Sequence, residues 1–507
     1  MSRVLPAGWS EAELGEICLP VSQRGPGSER SDFRYVDLGA LDNQTKRVAE
    51  PNTVPVSQAP SRAKQIIKAG DVVFSTVRVY LENIALIPPE LDGEVASTAF
   101  CVLRAAKGID ARYLYYYVTS RPFILAVNAL QRGNSPPSVQ DRDVRRQTIP
   151  IPPSLEQDRI ASRIDQVFSR IDEAERALER AQRLLGHYRQ SVLKAAVTGE
   201  LTRKWREQNK ENSESAEALL KRILKARREA WENAQLDKMK AKCVTPSNEN
   251  WRHRYKAPSE PDLTKLPNLP DGWTWASVDQ LSTEVTYGTS AKCNDDPSGV
   301  PVVRMGNIND GHLNLMDLKY LPRLHPEFPS LLLRAGDLLF NRTNSAELVG
   351  KCAVFSGIDG DWSFASYLIR VRVLGVHPEW IAYYINSVLG RAWIGAVKSQ
   401  QVGQANVNGS KLKALAIPLP PANEMTLALD MVAQELGRAH AAGKSNENEA
   451  SRVIALRQAV LTTAFSGRLV KQDALDEPAE VLLKRIAVKR RADNRSAGLG
   501  PKRKTSA

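Results

Sequence analysis

The sequence predicts an α+β protein. It should contain two similar mixed α/β domains joined by two long helices that pair antiparallel as a coiled coil, giving pseudo-two-fold symmetry. Three observations predict this. A proline-led stretch of about 50 residues occurs twice, and its landmarks keep their spacing: Pro150 and Pro418 lie 268 residues apart, as do Gly199 and Gly467. Apolar or small residues step by four and three along the first copy, the signature of a helical seam. The segment before each stretch opens with the same string, Leu5-Pro6-Ala7-Gly8-Trp9 and Leu269-Pro270-Asp271-Gly272-Trp273.

Residues 1–153 read as the first globular domain. Short β-rich runs (Phe33 to Leu38, Asp71 to Ser75, Asn83 to Ile87, Ala99 to Leu103) are separated by Gly, Pro and charged turns. A helix fits Ala111 to Ser120, with Tyr113, Leu114, Tyr117 and Val118 as its apolar face. That aromatic cluster is expected in the core.

Residues 154–199 read as a spacer helix. Pro152 and Pro153 block extension backwards. Ser154 followed by Gln157 has capping-box spacing, and Gly199 supplies the stop. The expected seam includes Ile160, Ile164, Val167, Ile171, Leu178, Leu185 and Val192. Residues 421–468 read as its counterpart, with Val432, Val453 and Val460 on the seam and a more polar middle. So narrow a stripe needs a partner, and the matched lengths make each helix the partner of the other. The plainer alternative is two unrelated amphipathic helices, each docked on its own domain.

Residues 200–266 read as a charged helical segment, helical over Ala216 to Met239, followed by a Pro-rich linker. Residues 267–420 restart the first domain: Ala335-Gly336-Asp337 echoes Ala69-Gly70-Asp71, and Trp380 to Ser387 echoes the tyrosine helix. Residues 469–507 read as a helix, echoing Glu217 to Ile223 at Glu480 to Ile486, and then a basic, disordered tail. The spacing between copies drifts inside the globular parts and is fixed in the rods. The loops have therefore diverged while the connecting helix has not.

A formal charge of +13 and an isoelectric point near 9.4 favour a polyanionic partner. No run of 18 apolar residues exists, and the first residues lack a signal peptide's pattern. Five dispersed cysteines offer neither a zinc site nor a disulfide framework, so a reducing cytoplasm is expected. The six histidines lack metal-ligand spacing, and no catalytic or metal-binding set is expected. Gly437 to Ser445 imitates a phosphate-binding loop but has one residue too many and lies within the second rod. Ser135-Pro136-Pro137-Ser138 imitates an amino-methyltransferase motif but has serine where the stacking aromatic belongs.

Taken in order, these strings resemble the specificity subunit of type I restriction–modification enzymes. The resemblance rests on the two Leu-Pro-x-Gly-Trp starts, on Ala69 to Arg78, and on Ile-Pro-Ile-Pro-Pro before the rod. Gln190 to Leu201 and its counterpart Ala464 to Leu469 add to it. The resemblance implies that each globular copy is a target-recognition domain reading half of a split double-stranded DNA site. It also implies that the rods fix the spacing between the halves. Two methylation subunits with S-adenosylmethionine, and restriction subunits using ATP and Mg2+, would join it. No cofactor is expected in this chain. A non-catalytic coiled-coil scaffold binding DNA without specificity is the alternative.

Candidate DNA-binding residues follow from chemistry: Arg and Lys for phosphate and guanine, Asn and Gln for adenine, Tyr and Ser as adaptable groups. In the first domain they are Arg78, Tyr80, Asn83, Arg132, Asn134, Ser135 and Ser138. In the second they are Arg342, Asn344, Lys398, Gln400, Gln401, Gln404 and Asn408. They occupy the loop after the Ala-Gly-Asp strand and the loop before the closing Ile-Pro run.

Overall fold

The computed structural model describes residues 5–27, 29–133, 136–209, 214–246, 248–328, 330–401 and 404–497. Its long helices are α1 (Ser154–Val197), α2 (Ala216–Ala241), α3 (Ala422–Phe465) and α4 (Ala479–Ala497). α1 and α3 are each 44 residues long, about 66 Å of helix. The chain divides into two compact units, Met1–Glu179 with Glu447–Ala507, and Arg180–Asn446. Among the described residues, no helix is long and apolar enough to cross a membrane.

In the first unit, strand Ser10–Glu13 pairs antiparallel with Thr148–Ile151, Ser10 opposite Ile151. A four-stranded sheet is ordered Cys18–Leu19, Phe100–Ala105, Val72–Ser75, Ile84–Leu86. Its strands are apolar on both faces for a reason. Val72, Phe74, Cys101 and Leu103 pack with Tyr113, Ile160 and Ile164, whereas Val73, Ala85 and Val102 form a second core with Val36 and Ala96. A sheet covered on both faces loses the alternation of polar and apolar residues. Gly70 takes φ +84°, a left-handed turn that suits glycine. The adjacent Asp71 carboxylate accepts two Arg104 hydrogen bonds, at 2.9 and 2.6 Å.

The second unit repeats this plan. Thr274–Ser277 pairs with Ala416–Leu419, and a sheet runs Ser282–Tyr287, Leu368–Val373, Asp337–Asn341, Cys352–Val354. Asp337 accepts from Arg372 at 3.2 Å, repeating the Asp71–Arg104 pair. Arg104 and Arg372 also donate to equivalent carbonyls, Ile66 and Leu332, both at 2.9 Å. Each unit also holds a parallel strand pair, Asp32–Val36 with Val95–Ser97 and Val300–Val303 with Ser363–Phe364.

Within each unit the halves of α1 and α3 run antiparallel. In the first, Ile160 and Ile164 share a core with Val460, Leu461 and Ala464. Farther along α1, Asp172 and Glu175 meet Arg457, which donates to Glu175 at 2.9 Å. In the second, Tyr188 donates to Glu435 at 2.6 Å, and Val192 and Leu193 pack with Met425, Ala428 and Val432. The indole of each opening string anchors the start of a rod: Trp9 donates to Glu156 at 3.1 Å and Trp273 to Glu424 at 2.9 Å. The helix after each rod is tied to the same string, Ala216 N–H to the Gly272 carbonyl and Ala479 N–H to the Gly8 carbonyl, both at 2.9 Å.

Several expectations are corrected. The seam of α1 is not buried throughout. Ile160, Ile164, Ile171 and Val192 are buried, but Val167, Leu178 and Leu185 are half-exposed, and Val453 of α3 likewise. Facing positions in the middle are polar: Asn446 donates to Gln182 at 3.4 Å. The Ser154–Gln157 capping box does not form. Ser154 donates to the Gly108 carbonyl, while Gln157 accepts the Asp110 N–H and donates to Pro152 O. The tyrosine helix ends at Val118. The Pro-rich linker is pinned, since Ser259 N–H donates to Asp279 and its carbonyl accepts from Ser277. Lys489, Arg490 and Arg491 belong to α4 rather than to a disordered tail. The rest of the expected tail, from Gly498 on, lies outside the described residues.

Candidate nucleic-acid interface

In each unit the two candidate loops lie side by side, held by backbone hydrogen bonds. In the first, Val139 N–H donates to the Thr76 carbonyl and Arg78 N–H to the Pro137 carbonyl, at 2.8 and 2.9 Å. Arg132 and Ser138 exchange backbone bonds at 2.9 and 3.0 Å, and Val77 bridges to Ser138. In the second, Val407 N–H donates to the Arg342 carbonyl at 2.9 Å. Thr343 pairs with Asn406, and Asn344 with Ala405. Both loops leave the ends of buried strands, and their pairing satisfies part of their backbone groups.

In the first unit the tip is strained. Arg78 and Glu82 both take positive φ, 49° and 53°, flanking the 3-10 turn Val79–Leu81. Such conformations are costly for residues with a Cβ and persist where the surroundings over-determine them. Here Gln131 accepts the Val79 N–H at 3.2 Å, fastening the turn from the facing loop. Arg78 and Tyr80 are exposed; Asn83 is half-buried. Arg132 is exposed and lies 3.6 Å from the buried Asp143 carboxylate. Asn134 and Ser135 lie outside the described residues.

In the second unit the candidates divide. The Asn408 side chain accepts the Lys411 N–H at 2.9 Å and caps the helix Gly409–Lys413. Asn344 accepts the Ser345 N–H at 2.8 Å, and Lys398 donates to the Ala346 carbonyl at 3.1 Å. These three polar ends take part in shaping the loops. Gln404 is exposed, opposite Gln401 in the hairpin Ser399–Gln401 with Gln404–Asn406; Gln400 belongs to the same strand. Arg342 packs its guanidinium over the Tyr287 ring, 4.6 Å from the centroid. Sequence reasoning passed over Tyr287 and Gln131, because each acts on a loop more than 50 residues away in the chain.

The arrangement places cationic, amide and phenolic groups on paired loops backed by rigid sheets, the form expected of a surface that reads base edges. A family model described as the type I restriction modification DNA specificity domain matches residues 6–181. The EcoKI specificity subunit of Escherichia coli is 27% identical over 426 residues, covering 82% of this chain and 78% of that protein. The EcoBI specificity subunit of Escherichia coli is 24% identical, covering 75% and 72%. A chain solved in a study of complex assembly and conformational transition in the type I R-M system aligns with TM-score 0.67 and 25% identity over 92% of this chain and 99% of that one. The crystal structure of the HsdS subunit from Thermoanaerobacter tengcongensis aligns with TM-score 0.52 and 26% identity, covering 92% and 98%.

Proposed function

We propose, from the premise that this chain belongs to the specificity subunits of type I restriction–modification systems, that its two globular parts read the two different halves of one split duplex site. The observation that carries this reading is the duplicated loop pair. The backbone bonds Val139 N–H to Thr76 O and Val407 N–H to Arg342 O occupy equivalent positions in the two units, yet the side chains there differ in chemistry. Two readers of one design with different reading groups suit an asymmetric bipartite site.

The chemistry then belongs to partners. Two methylation subunits carrying S-adenosylmethionine would modify adenine in each half-site, and restriction subunits would use ATP and Mg2+. This chain would supply address rather than turnover. Purified alone, it should show no methyltransferase, ATPase or nuclease activity; robust turnover from a clean single-chain preparation would overturn that assignment. A footprint of the complex with its methylation subunits on random-sequence duplexes separates this reading from the scaffold alternative. Protection at one recurring split motif supports a reader. Protection without sequence preference supports a scaffold.

A further inference from the structure

We propose that Arg342, held flat by Tyr287, reads a guanine in the half-site recognised by the second unit, and that the residue at the equivalent position of the first unit reads no base. The inference rests on the reader assignment above and deepens it. Arg342 is fixed by its own backbone: its N–H donates to the Tyr367 carbonyl and its carbonyl accepts from Val407, both at 2.9 Å. The guanidinium lies over the Tyr287 ring at 4.6 Å. That ring is itself fixed, because the Tyr287 hydroxyl accepts the Gly409 N–H at 2.7 Å. Glycine at 409 eases this approach, since a Cβ there would stand 3.0 Å from the phenol oxygen, a tight contact.

The donors of Arg342 are nevertheless unspent. Among the described residues, its only acceptor is the Ser366 carbonyl, at a long 3.5 Å. Its Nε is buried without a hydrogen-bond partner, and no carboxylate among those residues pairs with it. The Nε of Arg370 in the same unit is buried without a partner too, but its terminal nitrogens are engaged by the Leu332 carbonyl and Glu284; Arg372 is held by Asp337 and Glu284, and Arg391 by two carbonyls. A half-buried guanidinium on a reading loop, with one long hydrogen bond and no carboxylate among the described residues, keeps terminal N–H donors for an acceptor that arrives from outside. A planar fork of fixed orientation matches the O6 and N7 acceptors of guanine in the major groove. A phosphate contact would not require the fork to be clamped.

The equivalent position in the first unit is Thr76. Its N–H donates to the Ala99 carbonyl and its own carbonyl accepts from Val139, the same pair of backbone bonds. Its hydroxyl donates to the same Ala99 carbonyl at 2.9 Å, and the side chain is buried. Nothing there extends to a base.

The test uses the complex of this chain with its methylation subunits, after its site has been mapped from genomic adenine methylation. Binding is measured on duplexes carrying each base substitution, and 7-deazaguanine, at every position of the second half-site. The wild-type complex should reject substitutions at one guanine by roughly 5- to 150-fold. Arg342→Ala and Arg342→Lys should abolish that discrimination, and the 7-deaza duplex should bind the variants as well as guanine does. Tyr287→Leu should weaken discrimination at the same position, whereas Tyr287→Phe, which keeps the ring, should retain most of it. Undiminished reading of the first half-site serves as the folding control. A second half-site without guanine overturns the proposal. So does an Arg342→Ala complex that loses affinity equally for all sequences with a shallower salt dependence, the mark of a phosphate contact. A wild-type complex with no discrimination at any position would instead sink the reader assignment itself.

Discussion

Replacing Arg78 by glycine should make the first unit more stable and its DNA reading worse. The backbone of Arg78 is left-handed, at φ 49°, and a residue with a Cβ loses about 1–2 kcal/mol in that region. Glycine removes this strain but gives back about 0.5–1 kcal/mol through the greater freedom of its unfolded chain. The net gain is about 0.5–1 kcal/mol. Both backbone bonds at this residue, N–H to Pro137 O and carbonyl to Leu81 N–H, survive the change. The exposed guanidinium does not, and without a cation to meet a base edge there, preference at one position of the first half-site should relax by about 1–3 kcal/mol. Urea unfolding of the full chain, with hydrogen exchange of peptides covering 72–87, measures the stability; methylated-motif mapping measures the reading. A glycine variant that unfolds more easily and reads its site unchanged would refute the reasoning on both counts.

Other consequences follow from the rods and their anchors. Ile164 is fully buried, so Ile164→Ala should cost about 2–5 kcal/mol, while Leu178→Ala, half-exposed, should cost about 1 kcal/mol; equal losses in chemical denaturation would contradict the observed burial. Burial raises the Glu156 carboxyl above its ordinary 4.5, opposed by the Trp9 hydrogen bond and by Arg159. An acid whose folded pKa is raised stabilises the fold below its unfolded value and loses that contribution as pH rises through the folded value. Stability measured upward from pH 4.5 should therefore fall less steeply in Glu156→Gln; an unchanged slope would show that this carboxyl is not the titrating group.

How much could be read from the residues depended on where each partner lay. The duplication was legible because Pro150 and Pro418, and Gly199 and Gly467, keep one spacing, and because Ala69-Gly70-Asp71 recurs as Ala335-Gly336-Asp337; that both aspartates bind an arginine of the neighbouring strand came only with the structure. The half-wet middle of α1 was not legible in α1 itself, only in the more polar middle of its counterpart. The apolar periodicity of α1 records what that helix offers, and the exposure of its middle follows from what faces it, where α3 presents Asn446. Ser154 and Gln157 had capping-box spacing, but the carbonyl of Gly108 and the N–H of Asp110, more than 40 residues earlier, took their side chains. Asn408 was picked for its amide and its loop, but its part in opening a short helix, by accepting the Lys411 N–H, was not legible. Arg342 was picked out by charge alone; the ring that orients it lies 55 residues upstream.

The claim that each unit reads its own half of the site is tested most directly by domain exchange. Residues 1–150 are replaced by the matching segment of a related specificity subunit with a different first half-site. The hybrid is expressed with its methylation subunits, and methylated adenines are mapped across a genome by single-molecule sequencing. One half of the methylated motif should change to that of the donor, with the other half retained. A motif altered in both halves, or in neither, would contradict two independent readers.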